Sequence, residues 1–253
     1  MSRETSVAWV RVALVAASVL LLEWLCRSHL INPLTLIPPS QMAAALADLL
    51  ISGGMTDNII QTFSTVAAAF ILAVSVGFAA GVLIHASPRL RRAVDPLLAS
   101  YYSIPFFVFY PLLVALFGLN KLPLIAIGFV FAAAAMVMST LNGLDRVPHS
   151  LLKTAKIMRL GPIATVRLIT LPAAAPHLFT GLKLALAYAF IGVIAGEFIL
   201  SGAGLGYSIA YAYNNFDNTT MYASMLFVLT VSATLNGVLH WWEQRLMKRR
   251  GQR

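Results

Sequence analysis

The sequence predicts an all-α integral membrane protein with six transmembrane helices, and three observations carry that prediction. Hydrophobic residues make up 59% of the 253-residue chain and charged residues only 11%, where a soluble domain carries about 25% charged residues. Mean hydropathy is +0.82. The apolar residues fall in runs of about 20, the length that crosses roughly 30 Å of hydrocarbon as a helix, and the charges sit between the runs.

The runs lie at about 8–25, 58–86, 96–117, 122–142, 179–200 and 219–241. The first begins in MSRETSVAWVRVALVAASVLLLEWLC. It has the look of a signal peptide but no small-x-small cleavage site, so it reads as an uncleaved first span. The net charge of +9 reflects membrane topology rather than nucleic-acid binding, because the cations follow one side of the bilayer. With the N-terminus inside, fourteen Lys and Arg fall on inner segments: Arg3, Arg89, Arg91, Arg92, Arg146, Lys153, Lys156, Arg159, Arg167, Arg245, Lys248, Arg249, Arg250 and Arg253. Only Arg27 and Lys121 fall outside, while Arg11 and Lys183 lie within spans near their inner ends. The positive-inside rule then places both termini in the cytoplasm.

Between the first two runs, IPPS makes a rigid turn. SQMAAALADLLISGG then predicts a short outer-face helix, with Ser40 as N-cap, Met42, Leu46, Leu49 and Leu50 at helical spacing, and Gly53-Gly54 as the stop. In the second run Ala73, Gly77 and Gly81 recur every four residues, a small-residue face that lets helices approach closely. Pro105 and Pro111 predict that the third run is kinked or broken, which membranes tolerate where the break is buried or lines a cavity. No soluble domain separates out, so residues 1–253 read as one transmembrane domain.

Catalytic and cofactor chemistry finds little support. There is no GxxxxGK[ST] phosphate loop, and SGAGLGY at 201–207 reads as a tight turn into an outer loop. The single Cys26 leaves no internal disulfide. His29, His85, His149, His177 and His240 are scattered near span ends and do not form a metal-ligand pattern. No Ser-His-Asp or paired-carboxylate arrangement stands out. Glu197, near the outer end of the fifth run, is the notable charge. It is either solvated at the interface, or closes the outer side of a pathway or pairs with a neighbouring helix. Tyr101, Tyr102, Ser103 and Pro105 of the broken run, with Tyr188 of the fifth, are candidates for lining or gating a pathway. The alternative for the aromatics is packing or interface anchoring. NNFDNTT at 214–220 is an outer polar loop, either a solvated turn or a contact for a partner.

The inner loop 143–178 is longer than connections without structure of their own usually are, and it reads as helix, turn, helix. HSLLKTAKIMRL, residues 149–160, predicts a moderately amphipathic helix with Leu151, Ala155 and Met158 on one side and Lys153 and Lys156 opposite. Gly161-Pro162 ends it, and a second short helix over 163–170 stops before Leu171-Pro172. A basic helix facing the cytoplasm suits docking into a groove on a soluble partner.

That loop, with a Gly and then a Leu-Pro about a dozen residues on, resembles the EAA loop of permease subunits of binding-protein-dependent ABC importers. IPPS, the SIP of the third run, FGLNKLP, and LPAAAPHLFTGLKLALAYAFIGVIAGEF through GAGLGY resemble the branch that imports sulfonates, taurine, nitrate and thiamine-precursor pyrimidines. The resemblance implies a type I ABC importer permease fold. It implies a homodimer in the inner membrane, two cytoplasmic ATPase subunits that hold the ATP and Mg, and a periplasmic binding protein. The chain itself would bind no cofactor and catalyse no reaction. Counted back from Leu171-Pro172, the family's glutamate position falls on Lys153, its two alanines on Thr154 and Ala155, and its glycine on Arg159, with Gly161 two residues later. The coupling set implied is Lys153, Thr154, Ala155, Lys156, Arg159, Gly161, Pro162, Leu171 and Pro172. A cation in place of the carboxylate implies a partner groove more acidic than usual. The competing class is an ion-driven secondary transporter, which usually shows midplane ionisable residues or paired repeats.

Overall fold

The computed structural model describes residues 3–32 and 35–249, almost all of them helical. The helices are α1 (Arg3–Arg27), α2 (Pro39–Ile51), α3 (Thr56–Ala86), α4 (Pro88–Ser100), α5 (Tyr110–Phe117), α6 (Lys121–Asp145), α7 (His149–Ile157), α8 (Pro162–Thr165), α9 (Leu171–Leu200), α10 (Leu205–Asn214) and α11 (Asn218–Arg249). Among the described residues four helical runs are long and apolar enough to cross a membrane: Thr56–Ala86, Lys121–Asp145, Pro162–Ile199 and Asn218–Arg245. The first expected span lies in α1, a 25-residue helix that exposes Trp9, Leu14, Leu20 and Trp24 along its length. Arg250 and Arg253, counted above among the inner cations, lie outside the described residues, as do the side chains of Arg3 and Tyr102.

The centre of the molecule is α6, held between α3 and α9. Lipid offers no hydrophobic drive between spans, so close approach through small residues must supply the contact. The expected stripe does this on one side. Ala73 is fully buried. A Cβ added at Gly77 would lie 2.9 Å from the Met136 Cβ, and one at Gly81 would lie 2.7 Å from the Thr140 Cβ. The other face of α6 carries a second such contact, where a Cβ at Gly192 of α9 would sit 3.1 Å from the Gly128 Cα. Val66, Ala69, Ala132, Met136, Ala185, Ala189, Phe190 and Val193 fill the space between.

The expected third crossing is not one helix. After α4 come a 3₁₀ turn at Tyr101–Ser103, a second at Phe106–Phe109, and then α5. Pro105 makes the break, with Phe106 N–H bonding back to the Ile104 carbonyl at 2.9 Å across it. At eight residues, α5 spans only about 12 Å. The piece is stapled to α6 instead. The Tyr101 hydroxyl donates to the Val130 carbonyl, and Phe106 and Phe107 pack on Phe131.

Two other expectations need correction. Ser40 is not the N-cap of α2; Pro38 is. The end of α1 supplies the cap, since Glu23 accepts the Ser40 N–H at 3.0 Å and the Ser40 hydroxyl at 2.6 Å. A carboxylate from a neighbouring helix satisfies the free N–H more strongly than a local hydroxyl does. Leu50 faces outward rather than joining Met42, Leu46 and Leu49. The stop at Gly53 stands, with φ +75.

Gly81→Val should lower the midpoint of thermal unfolding of the detergent-solubilised protein. Overpacking of this kind costs about 1–3 kcal/mol, or roughly 2–4 °C for each kcal/mol in a chain of this size. An unchanged midpoint would show that the α3–α6 contact is not close-packed.

Candidate functional site

The 143–178 segment folds as an elbow built on two short helices. Its helix α7 buries Ala155, at 2% exposure, with Leu152 and Leu160 half-buried beside it. The expected apolar face is therefore misplaced: Leu151 and Met158 point outward, and Ile157 is 82% exposed. The helix is anchored through one narrow seam and presents its remaining apolar residues to the exterior.

Arg159 sets the end of α7. Its φ is +51, and the Arg159 and Leu160 N–H groups bond back to the Lys156 and Ala155 carbonyls at 3.0 Å each. That is a Schellman closure, in which a left-handed residue normally filled by glycine turns the chain out of the helix. A side chain there costs on the order of 1 kcal/mol. The position to which the resemblance assigns a glycine thus has a glycine-like backbone, filled here by an arginine.

The chain then runs from extended Gly161 into α8, with Pro162 in its first turn. The second helix was expected to stop before Leu171-Pro172, but it does not. Val166–Thr170 form a π-helical turn that leads directly into α9. The wider i→i+5 turn, a known way to absorb local helix strain, lets a residue without an N–H follow without ending the helix. Between α7 and α8 lies a groove of about 640 Å³ lined by His149, Leu152, Lys153, Ala155, Lys156, Leu160, Pro162 and Thr165. Lys153, Thr154, Lys156 and Arg159 are all exposed. Nearby, Asp145 at the end of α6 binds both His85 at 2.9 Å and Arg91 at 3.1 Å, tying α3, α4 and α6 together at this end.

At the opposite end of α9, Glu197 is fully buried, so solvation at the interface is not its role. The Thr62 hydroxyl lies 2.7 and 2.9 Å from its two oxygens, and the Gly206 N–H donates to it at 3.1 Å. Thr62 in turn accepts the Leu205 N–H at 2.8 Å, and Asn58 accepts the Gly204 N–H at 2.9 Å. The carboxylate and its partners therefore cap the N-terminus of α10 and lock the SGAGLGY turn to α3. The glycines are required by space: a Cβ at Gly204 would fall 2.2 Å from the Glu197 Cδ, and one at Gly206 2.2 Å from the Ile194 carbonyl oxygen. After α10, Asp217 caps α11. The Thr220 hydroxyl and its N–H hold the Asp217 carboxyl below the usual carboxylate range. The NNFDNTT stretch is thus a helix junction, and it leaves Phe216 at 90% exposure.

Tyr188 lines a groove of about 280 Å³ with Ser139, Asn142, His177, Thr180 and Leu184. An adjoining groove of about 350 Å³ shares Thr180 and Leu184 and adds Lys183, Asn236 and His240. Its wall is braced by the Lys183–Glu243 ion pair between α9 and α11. Tyr101 lies apart from this face, spent on α6, and Ser103 is exposed.

A family model described as the binding-protein-dependent transport system inner membrane component matches residues 71–252. The chain belongs to this family. It is a multi-pass inner-membrane permease subunit of an ABC importer, and such a subunit works with ATPase and substrate-binding partners. The nitrate import permease protein NrtB of Leptolyngbya laminosa is 27% identical over 194 residues, covering 77% of this chain and 70% of that protein. The taurine transport system permease protein TauC of Escherichia coli is 25% identical over 250 residues, covering 96% and 91%. The putative aliphatic sulfonates transport permease protein SsuC of Bacillus subtilis is 26% identical, covering 85% and 78%. In fold, the chain matches a solved inward-facing MetNI methionine ABC transporter with TM-score 0.64 and 20% identity, over 76% of this chain and 95% of that one.

The importer fold explains why the expected site residues separate into two ends. The loop set from Lys153 to Pro172 gathers around one elbow, while Glu197 sits at the far end of the same helix. Of the α9 groove's residues the sequence singles out Tyr188 for a pathway, while its histidines read there only as possible metal ligands. Its signal lay in the spacing of His177, Thr180, Leu184 and Tyr188 along one helical face. Thr62 and Asn58 had no local signal, since they meet Glu197 and its turn from more than 130 residues away.

Glu197→Ala should destabilise the detergent-solubilised protein more than Glu197→Gln. The alanine leaves the Thr62 O–H and the Gly206 N–H without an acceptor, about 1–3 kcal/mol for each buried donor, whereas the amide oxygen still accepts one of them. Equal melting of the alanine variant and the wild type would overturn the latch.

Proposed function

We propose that two copies of this permease enclose one route for a small oxyanion-bearing solute, and that the α9 face from His177 to Tyr188 lines its inner half. A periplasmic binding protein delivers the solute. Two cytoplasmic ATPase subunits, which hold the ATP and Mg, dock on the 143–178 loops, and both termini of the chain face the cytoplasm. Lipid surrounds the outer faces of the helices. The chain itself contributes no chemistry: it binds, orients and moves.

The observation that carries this reading is the helical run from Pro162 to Ile199. It joins the elbow to the span that carries the groove at one turn and Glu197 at its end. A push on α7 is thereby delivered to the route as tilt of one continuous helical run, which holds Pro176 within it. Closure of the ATPase pair and opening of the route are then two sides of one equilibrium, so solute delivery must favour ATPase closure in return.

The grooves support the solute class. Their walls offer donors from Ser139, Asn142, His177, Thr180, Lys183, Asn236 and His240, and the one carboxylate beside them, Glu243, is held by Lys183 at 2.5 Å. Polar side chains on membrane helices characteristically face a water-filled path or a partner. The relatives named for nitrate, taurine and aliphatic sulfonates handle solutes that share an oxyanion group.

Inserting Gly-Gly between Thr165 and Val166 should leave the assembled complex hydrolysing ATP but reduce uptake of solute into reconstituted vesicles at least tenfold. Uptake that continues unchanged would remove the elbow account. Uptake that persists without any ATPase subunit would assign the chain to gradient-driven transport instead.

A further inference from the structure

The chain holds only nine acidic residues, and where they meet cations they pair them. Glu23 holds Arg27, Asp95 and Asp145 hold Arg91, and Glu243 holds Lys183. The elbow is different. No acid occurs between Arg146 and Gly196, and among the described residues no carboxylate reaches ion-pair distance of Lys153, Lys156 or Arg159. All three are exposed. Lys153 and Lys156 line the α7–α8 groove, and Arg159 follows at the negative end of the α7 dipole.

Arg159 adds a second, independent observation. Its φ of +51 is glycine's territory, and glycine would close α7 without strain. Backbone strain of this kind clusters at functional and switch regions. Beside it, Ile157 and Met158 are 82% and 64% exposed, so cations and apolar knobs share one tip. Charged pairs around an apolar contact fix register and exclude wrong partners more than they add affinity.

We infer that Lys153, Lys156 and Arg159 form a cationic key that admits only an ATPase subunit whose docking cleft carries carboxylates facing them. The inference rests on the reading of residues 143–178 as the coupling loop, and it goes beyond it by making charge the determinant of which ATPase is accepted. The groove form favours a protein occupant. A flat basic surface would suit anionic headgroups, whereas these lysines flank a concave site with a buried apolar floor at Ala155.

The test uses the full-length permease and the ATPase subunit that co-purifies with it. Arg159→Gly is the decisive variant, because it relieves the backbone. It should raise the thermal midpoint of the permease while lowering retention of the ATPase several-fold, and the Lys153→Glu/Arg159→Glu double variant should lower retention by roughly tenfold or more. Asp or Glu→Lys changes in the ATPase cleft should restore retention of the double variant. Retention of the ATPase by Arg159→Gly at or above the wild-type level would overturn the key. So would undiminished retention by the double variant together with weakened association with phosphatidylglycerol vesicles, which would assign the cations to lipid. An Ile157→Cys cross-link separates the two levels of failure. A link to the ATPase with charge-insensitive retention sinks only the key, whereas no link at all sinks the coupling-loop reading beneath it.

Discussion

The structure depends on α6 being narrow enough to be gripped from both sides. Inside a bilayer, apolar side chains gain nothing by leaving lipid for one another, so helices hold together where small residues bring backbones close. Gly77 and Gly81 bring α3 against Met136 and Thr140 on one face, and Gly128 meets Gly192 of α9 on the other. That fixed three-helix centre gives α9 a bearing. The polar groove, the elbow and the Glu197 latch all belong to α9 or attach to it, and each is positioned by the close α6–α9 contact.

From this bearing the two ends of α9 take opposite characters. The elbow end is cationic, exposed and acid-free, suited to meeting another protein. The latch end is buried and internally satisfied: Glu197, Thr62 and the Gly206 N–H complete one another, and no buried polar side chain among the described residues lacks a partner. A rigid far end and a partner-facing near end are what a lever needs. The helical run from Pro162 to Ile199 continues through the π turn at Val166–Thr170, past Pro172 and the internal Pro176, and so links the elbow to the α10 junction.

Much of this was legible in the residues. Hydropathy located α3 and α6 to within three residues, and α9 and α11 except for about two turns at the inner end of each; the small-residue spacing of Ala73, Gly77 and Gly81 foretold the α3–α6 contact, and Pro105 foretold the broken segment. What escaped was decided by tertiary partners. Ser40 looked like a cap because its neighbours were helix formers, yet the cap came from Glu23 on another helix. Pro172 looked like a stop because proline costs a hydrogen bond, yet a widened turn removed that cost. For Glu197 the span end left solvation and pairing with a neighbouring helix both open, and Thr62 of α3 decides for pairing. Family resemblance placed glycine at Arg159, and only the backbone revealed that the glycine conformation is kept while the residue is not.

The proposed function requires that ATPase closure move the elbow and, through α9, the route. Spin labels attached at Met158 in both copies of the reconstituted complex measure this directly by pulsed electron–electron distance spectroscopy. The account predicts that adding a non-hydrolysable ATP analogue shortens the distance between the two labels by several ångströms, with the change reversed on its removal. A label separation that is the same with and without nucleotide, in a complex that transports solute, would contradict it.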